Sequence, residues 1–130
     1  MTDLPHIVVM EDDRALATAI AKKLELSGFS VSKSDNVDQA IELVNSAERV
    51  DAIWLDHYLL GNKNGLDFLA SLRGNTDGAH CEVPVYVVSN TATDDKVKSY
   101  LRLGAEKYYV KSDHSLEEII HDIKQTVSKR

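Results

Sequence analysis

A chain of 130 residues, 43% hydrophobic and 28% charged, has the composition of a globular protein long enough to form one real core. Its 21 acidic residues outnumber 15 basic ones, and the net charge of −6 argues against the basic footprint of a nucleic-acid binder. No apolar run approaches the roughly 18 residues of a membrane helix. The start, Met1-Thr2-Asp3-Leu4-Pro5, lacks a signal-peptide pattern, and the lone Cys81 admits no intrachain disulfide, so a reducing cytoplasm is expected.

In chain order, His6 to Met10 is apolar and β-branched and predicts a strand. It ends in three acids, Glu11, Asp12 and Asp13. A helix follows to about Ser27, with Leu16, Ile20 and Leu24 on one face and Gly28 as its C′ residue. Phe29 to Ser34 is a second, more polar strand, expected at an edge, and Val37 to about Ala47 a helix with Val37, Ile41 and Val44 on its apolar side. Ala52-Ile53-Trp54-Leu55 runs apolar into Asp56, the pattern of a strand buried on both faces of a parallel sheet. Leu66, Leu69 and Leu72 mark a third helix ending near Gly74. Residues 74–82 have no periodicity and predict an exposed loop; His80 and Cys81 fall there, too few for a metal site, and are expected on the surface. Pro84 opens a fourth strand, Val85 to Val88, ending in Ser89-Asn90. The fourth helix is expected from Asp94 to Leu103, with Val97 and Leu101 inward and Gly104 as its stop. Lys107 to Val110 is the fifth strand, ending at Lys111. Ser115 and Glu118 form a capping box before a last helix striped by Leu116, Ile119, Ile120, Ile123 and Val127.

Five strands alternating with five helices predict one doubly wound α/β domain over residues 1–130, a five-stranded parallel sheet between two helical layers. Ligands bind such sheets at the carboxyl ends of the strands. There Glu11, Asp12, Asp13, Asp56, Ser89 and Lys111 gather from four strands. Clustered carboxylates raise each other's pKa values, and a hard divalent cation such as Mg²⁺ relieves the repulsion. A carboxylate at Asp56 can act as a nucleophile toward phosphorus, with Mg²⁺, Lys111 and the Ser89 hydroxyl on the phosphoryl oxygens. The plainer alternative is a salt-bridged patch of Lys111 with the acids, without chemistry.

On Glu11-Asp12, Asp56, Ser89 and Lys111, supported by Gly65 and Gly104-Ala105, the chain resembles the receiver domains of two-component response regulators, of flavodoxin-like fold, over essentially its whole length. The resemblance implies that Asp56 accepts a phosphoryl group from a histidine kinase or phosphotransfer protein. It implies Mg²⁺ held by Asp12, Asp56 and the backbone carbonyl of Tyr58, with Glu11 acting through water. Asp13 is then an ordinary helix-start residue, unless the register slips by one and Asp13 replaces Asp12. Ser89 and Tyr108 would report phosphorylation to a downstream partner, or to a second copy of the chain, on the face of the fourth helix, fifth strand and fifth helix. Tyr100 and Tyr109 are assigned to packing or surface. The implied protein is a switch, not an enzyme beyond Mg²⁺-dependent self-phosphorylation from a donor and slow self-dephosphorylation. The chain ends soon after the fifth helix, which fits a stand-alone regulator or a fragment without an output domain.

Four positions depart from the family pattern. Leu60 stands where proline is usual, and the span from Asp56 to Gly65 is one residue longer than common. Asn90 replaces a small residue, and Ser112 replaces the usual cis-proline. The rival readings are a pseudo-receiver that binds partners without phosphorylation, a small phosphatase and a mononucleotide binder. The intact acid, hydroxyl and lysine set argues against the first, the absence of a general acid and substrate cap against the second, and the acids where a Gly-rich loop would stand against the third.

Overall fold

The structure, a computed structural model, describes residues 4–129; residues 1–3, within the stretch read for a leader, lie outside the described residues. The elements run β1 (His6–Met10), α1 (Arg14–Leu26), β2 (Ser30–Ser34), α2 (Val37–Ser46), β3 (Ala52–Leu55), α3 (Gly65–Gly74), β4 (Val85–Ser89), α4 (Asp94–Arg102), β5 (Lys107–Val110) and α5 (Leu116–Ser128). The strands form one parallel sheet in the order β2-β1-β3-β4-β5. The polar β2 is at an edge, as its sequence predicts.

Alternation along the strands divides the interior in two. Ile7, Val9, Trp54, Tyr86 and Val88 face α1 and α5, where Ile20, Leu24, Ile119 and Ile123 meet them. Val8, Met10, Ile53, Leu55, Val85 and Val87 face α2, α3 and α4. Both faces of β1, β3 and β4 are therefore dry, which is why these strands read as unbroken apolar runs.

Local signals act where the sequence places them. Asp13, Asn36, Asn64, Thr93 and Ser115 cap the five helices, Asn64 and Ser115 through capping boxes. Gly28 and Gly104 take φ of +100° and +84° just past α1 and α4, a region that costs a side chain strain.

Two expectations need correction. Leu101 does not point inward: it is 50% exposed, and Tyr100 is the fully buried residue of α4. Apolar spacing favoured the Val97–Leu101 pair, but α4 meets the domain one residue earlier, and Tyr100 can be buried because its hydroxyl finds a partner. His80 and Cys81 are half-buried, not simply surface. His80 Nε2 is 2.9 Å from the Ala47 carbonyl oxygen. Arg73 donates to the carbonyls of Cys81, Val83, Leu103 and Gly104 at 2.8–3.1 Å, pinning the loops before β4 and after α4 to the end of α3.

Candidate functional site

Three residues just past the strands extend the sheet's ladder by one step. The Glu11 amide donates to Ser34 O at 3.0 Å, the Asp56 amide to Met10 O at 2.9 Å and the Lys111 amide to Ser89 O at 2.8 Å. This pairing brings β1, β3, β4 and β5 to one rim, so residues up to a hundred positions apart share a site.

Lys111 is its centre. Its Nζ donates to Glu11 Oε1 at 2.8 Å and lies 3.5 Å from Asp56 Oδ2. Glu11 and Asp56 are buried and Asp12 half-buried, and one carboxylate oxygen from each lies within 4.8 Å of the others. Burial first, then Asp56, hold Glu11 above its ordinary value against the pull of Lys111 and of the Asp12 hydrogen bond. Burial and Glu11 raise Asp12 as well. Lys111 also sits above its ordinary value: burial alone would lower it, and the Glu11 hydrogen bond with the Asp56 and Glu11 charges overcomes that. The three clustered carboxylates offer hard oxygen donors, which fits a hard divalent cation. The Ser89 hydroxyl is fully buried and has no hydrogen-bond partner among the described residues. A buried polar atom left unpaired is costly, so this hydroxyl fits a ligand oxygen arriving at the rim.

Asp13 stands outside the cluster. Its carboxylate accepts from the Leu16 amide at 3.1 Å, the ordinary helix-start role expected if Asp12 is in register. The Tyr58 amide donates to Asp56 Oδ1 at 3.4 Å, while the Tyr58 side chain is exposed beneath Lys96, whose Nζ is 5.0 Å from the ring centroid. Lys96 also donates to Thr91 Oγ1 at 2.8 Å, and Tyr108 OH donates to the Thr91 carbonyl at 2.5 Å. The Tyr58 phenol is held below its ordinary value by its hydrogen bond to Thr91 and by the Lys96 charge. Tyr109 is buried with its hydroxyl on Asp122 at 2.6 Å, a packing role as expected.

Two of the departures from the family pattern can be followed in the local structure. The Leu60 amide donates to Asp35 O at 2.9 Å within an isolated parallel bridge between Asn36 and Leu60, a bond that proline at this position lacks. No cis peptide bond occurs among the described residues, so Lys111–Ser112 is trans, and the turn closes through the Asp113 amide on Val110 O at 3.0 Å. Gly65 is required by close approach: a Cβ there would lie 3.0 Å from Asp56 O and 3.2 Å from His57 Cα, and would collide with the Tyr100 hydroxyl. Sequence reasoning missed His57. It is half-buried beside Asp56, with Nδ1 2.6 Å from Tyr100 OH; its only sequence signal is that position.

A model of the response regulator receiver domain matches residues 7–124. The transcriptional regulatory protein PrrA of Mycobacterium leprae is 34% identical over 128 residues, 97% of this chain and 51% of that protein. The chain spans about half the length of the curated relatives it matches. The Francisella response regulator 1452 receiver domain superposes with a TM-score of 0.84 at 23% identity, covering 96% of this chain and 98% of that one. A response regulator protein from Burkholderia pseudomallei, solved with a phosphorylated aspartic acid, calcium ion and citrate, superposes with a TM-score of 0.79 at 25% identity, over 96% of this chain and 69% of that one. Strand order, the acid cluster and the family match agree: the chain belongs to the response regulator receiver domains of two-component systems.

Proposed function

We propose that residues 1–130 form one phosphoacceptor domain in which Asp56 takes a phosphoryl group from a phosphohistidine of a histidine kinase or phosphotransfer protein and returns it slowly to water. The observation that carries this reading is the Lys111 ammonium held between Glu11 and Asp56, with the unpartnered Ser89 hydroxyl at the same rim. A carboxylate oxygen of Asp56 attacks phosphorus; the P–O bond forms as the P–N bond breaks. The electron pair leaves on the imidazole nitrogen. Lys111 neutralises charge on one phosphoryl oxygen, and Ser89 donates a hydrogen bond to another.

Asp12, Asp56 and the Tyr58 carbonyl would hold Mg²⁺, with Glu11 acting through water. When bound, the ion supplies positive charge facing the phosphoryl oxygens. The phosphorylated aspartic acid and the calcium ion of the Burkholderia pseudomallei relative support both the nucleophile and the cation. Ser89 and Tyr108 would carry the signal to the face of α4, β5 and α5, where a downstream partner or a second copy docks; the Tyr108 hydroxyl on Thr91, two residues past Ser89, supports that pair.

Incubation with acetyl phosphate, with Mg²⁺ or with excess chelator, tests the proposal by intact mass. One phosphoryl addition that requires Mg²⁺ is expected. No addition with Mg²⁺, or equal addition with chelator, contradicts it.

A further inference from the structure

α4 is anchored by one side chain. Tyr100 is its single fully buried residue; of the other eight, five are charged, and the apolar Val97 and Leu101 are half-buried and exposed respectively and contribute no comparable anchor. The Tyr100 ring enters the core on the α3 side and lies 5.7 Å from Tyr108 and 5.6 Å, edge to face, from His57. Its hydroxyl ends the path in a 2.6 Å hydrogen bond to His57 Nδ1. His57 directly follows Asp56, and its carbonyl accepts from the Gly65 amide at 2.9 Å, so it belongs to the loop that must respond when Asp56 gains a bulky dianion. Gly65 leaves the space that the Tyr100 hydroxyl fills.

We infer that Tyr100 is a positioning residue that couples the phosphoacceptor loop to α4 through its hydroxyl on His57, a second connection beside the Ser89–Tyr108 pair. The inference rests on Asp56 being the phosphoacceptor. Because packing rather than the hydroxyl places the ring, removing the hydroxyl separates coupling from folding. A displacement of His57 pulls directly on the one buried anchor of α4. A displacement of Tyr108 reaches the same ring by contact alone.

The test compares wild type, Tyr100→Phe, His57→Gln and His57→Leu, each as the full chain, before and after loading with acetyl phosphate and Mg²⁺. Hydrogen exchange of the amides of residues 94–102 is read together with intact mass. Tyr100→Phe is expected to keep the far-ultraviolet spectrum and to load to the same extent. Its α4 exchange change on loading should fall about fivefold, the equilibrium equivalent of one neutral hydrogen bond. His57→Leu should lose the response likewise, and His57→Gln, whose amide oxygen can accept from Tyr100, should restore most of it. A wild-type α4 response in loaded Tyr100→Phe overturns the coupling while leaving Asp56 as phosphoacceptor. Failure of wild type to load overturns both. If Tyr100→Phe does not fold, the two His57 variants decide: equal α4 responses in Gln and Leu overturn the coupling.

Discussion

Lys111 keeps its charge because two carboxylates face it, and each neighbour depends on it in turn. Lys111→Ala leaves Glu11 buried beside Asp56 without a cation, and leaves one phosphoryl oxygen unneutralised. We expect loading from acetyl phosphate to slow at least tenfold, a barrier change of about 1.4 kcal/mol; an unchanged rate would remove Lys111 from the site. Glu11 and Asp12 hold protons above their ordinary 4.5 and 3.8, so protons compete with the cation at higher pH than for free carboxylates. Calorimetric titration should therefore show Mg²⁺ affinity falling as the pH drops from neutral toward 5, and falling at neutral pH in Asp12→Ala. Asp13→Ala should leave Mg²⁺ affinity alone and instead cost about 1 kcal/mol as a lost helix cap. Equal Mg²⁺ affinities for wild type and Asp12→Ala would exclude Asp12 as a ligand.

The connections around the rim carry the chain's individuality. Leu60→Pro would install the residue usual in the family and remove the amide that holds Asp35 O, so urea denaturation should show a loss of about 1 kcal/mol. A gain would mean that proline's stiffness outweighs the bond. Arg73→Met should cost about 2–3 kcal/mol, because one guanidinium serves four carbonyls in two loops. Asp56, Ser89 and Lys111 were legible in the sequence because each stands at or just past the carboxyl end of a strand, and strand ends in a parallel sheet face one way. α4 was not: a short helix with one anchor gives no stripe to read, and His57, the partner that satisfies the Tyr100 hydroxyl, lies forty-three positions away. The same holds for Arg73, whose four acceptors lie in loops that carry no pattern.

The two-sided core and the edge place of β2 were legible from unbroken apolar runs, one polar strand and alternating amphipathic helices; the long-range polar pairs were not, because hydrogen-bond partners leave no periodicity. One such pair sets an expected pH response of the whole fold. The ring of His6 bridges Ser30 Oγ at 2.6 Å and Ser32 Oγ at 2.8 Å, and burial lowers its pKa from 6.5 despite Asp51. His57 is lowered too, by burial and then by Lys96. The unfolded chain then binds protons first, so stability present above pH 6.5 is lost as the pH falls below that value. Glu11 and Asp12 act oppositely above their ordinary values, gaining stability on protonation. Urea midpoints should therefore decline from pH 7.5 to 5.5, with a shallower decline in His6→Gln; an identical slope would show that His6 does not contribute. The acyl phosphate itself gives the most direct test of the account. Borohydride reduction of protein loaded with acetyl phosphate and Mg²⁺, followed by peptide mapping, should convert residue 56 to homoserine in wild type and nowhere in Asp56→Asn. Homoserine at another acid, or undiminished loading of Asp56→Asn, would contradict it.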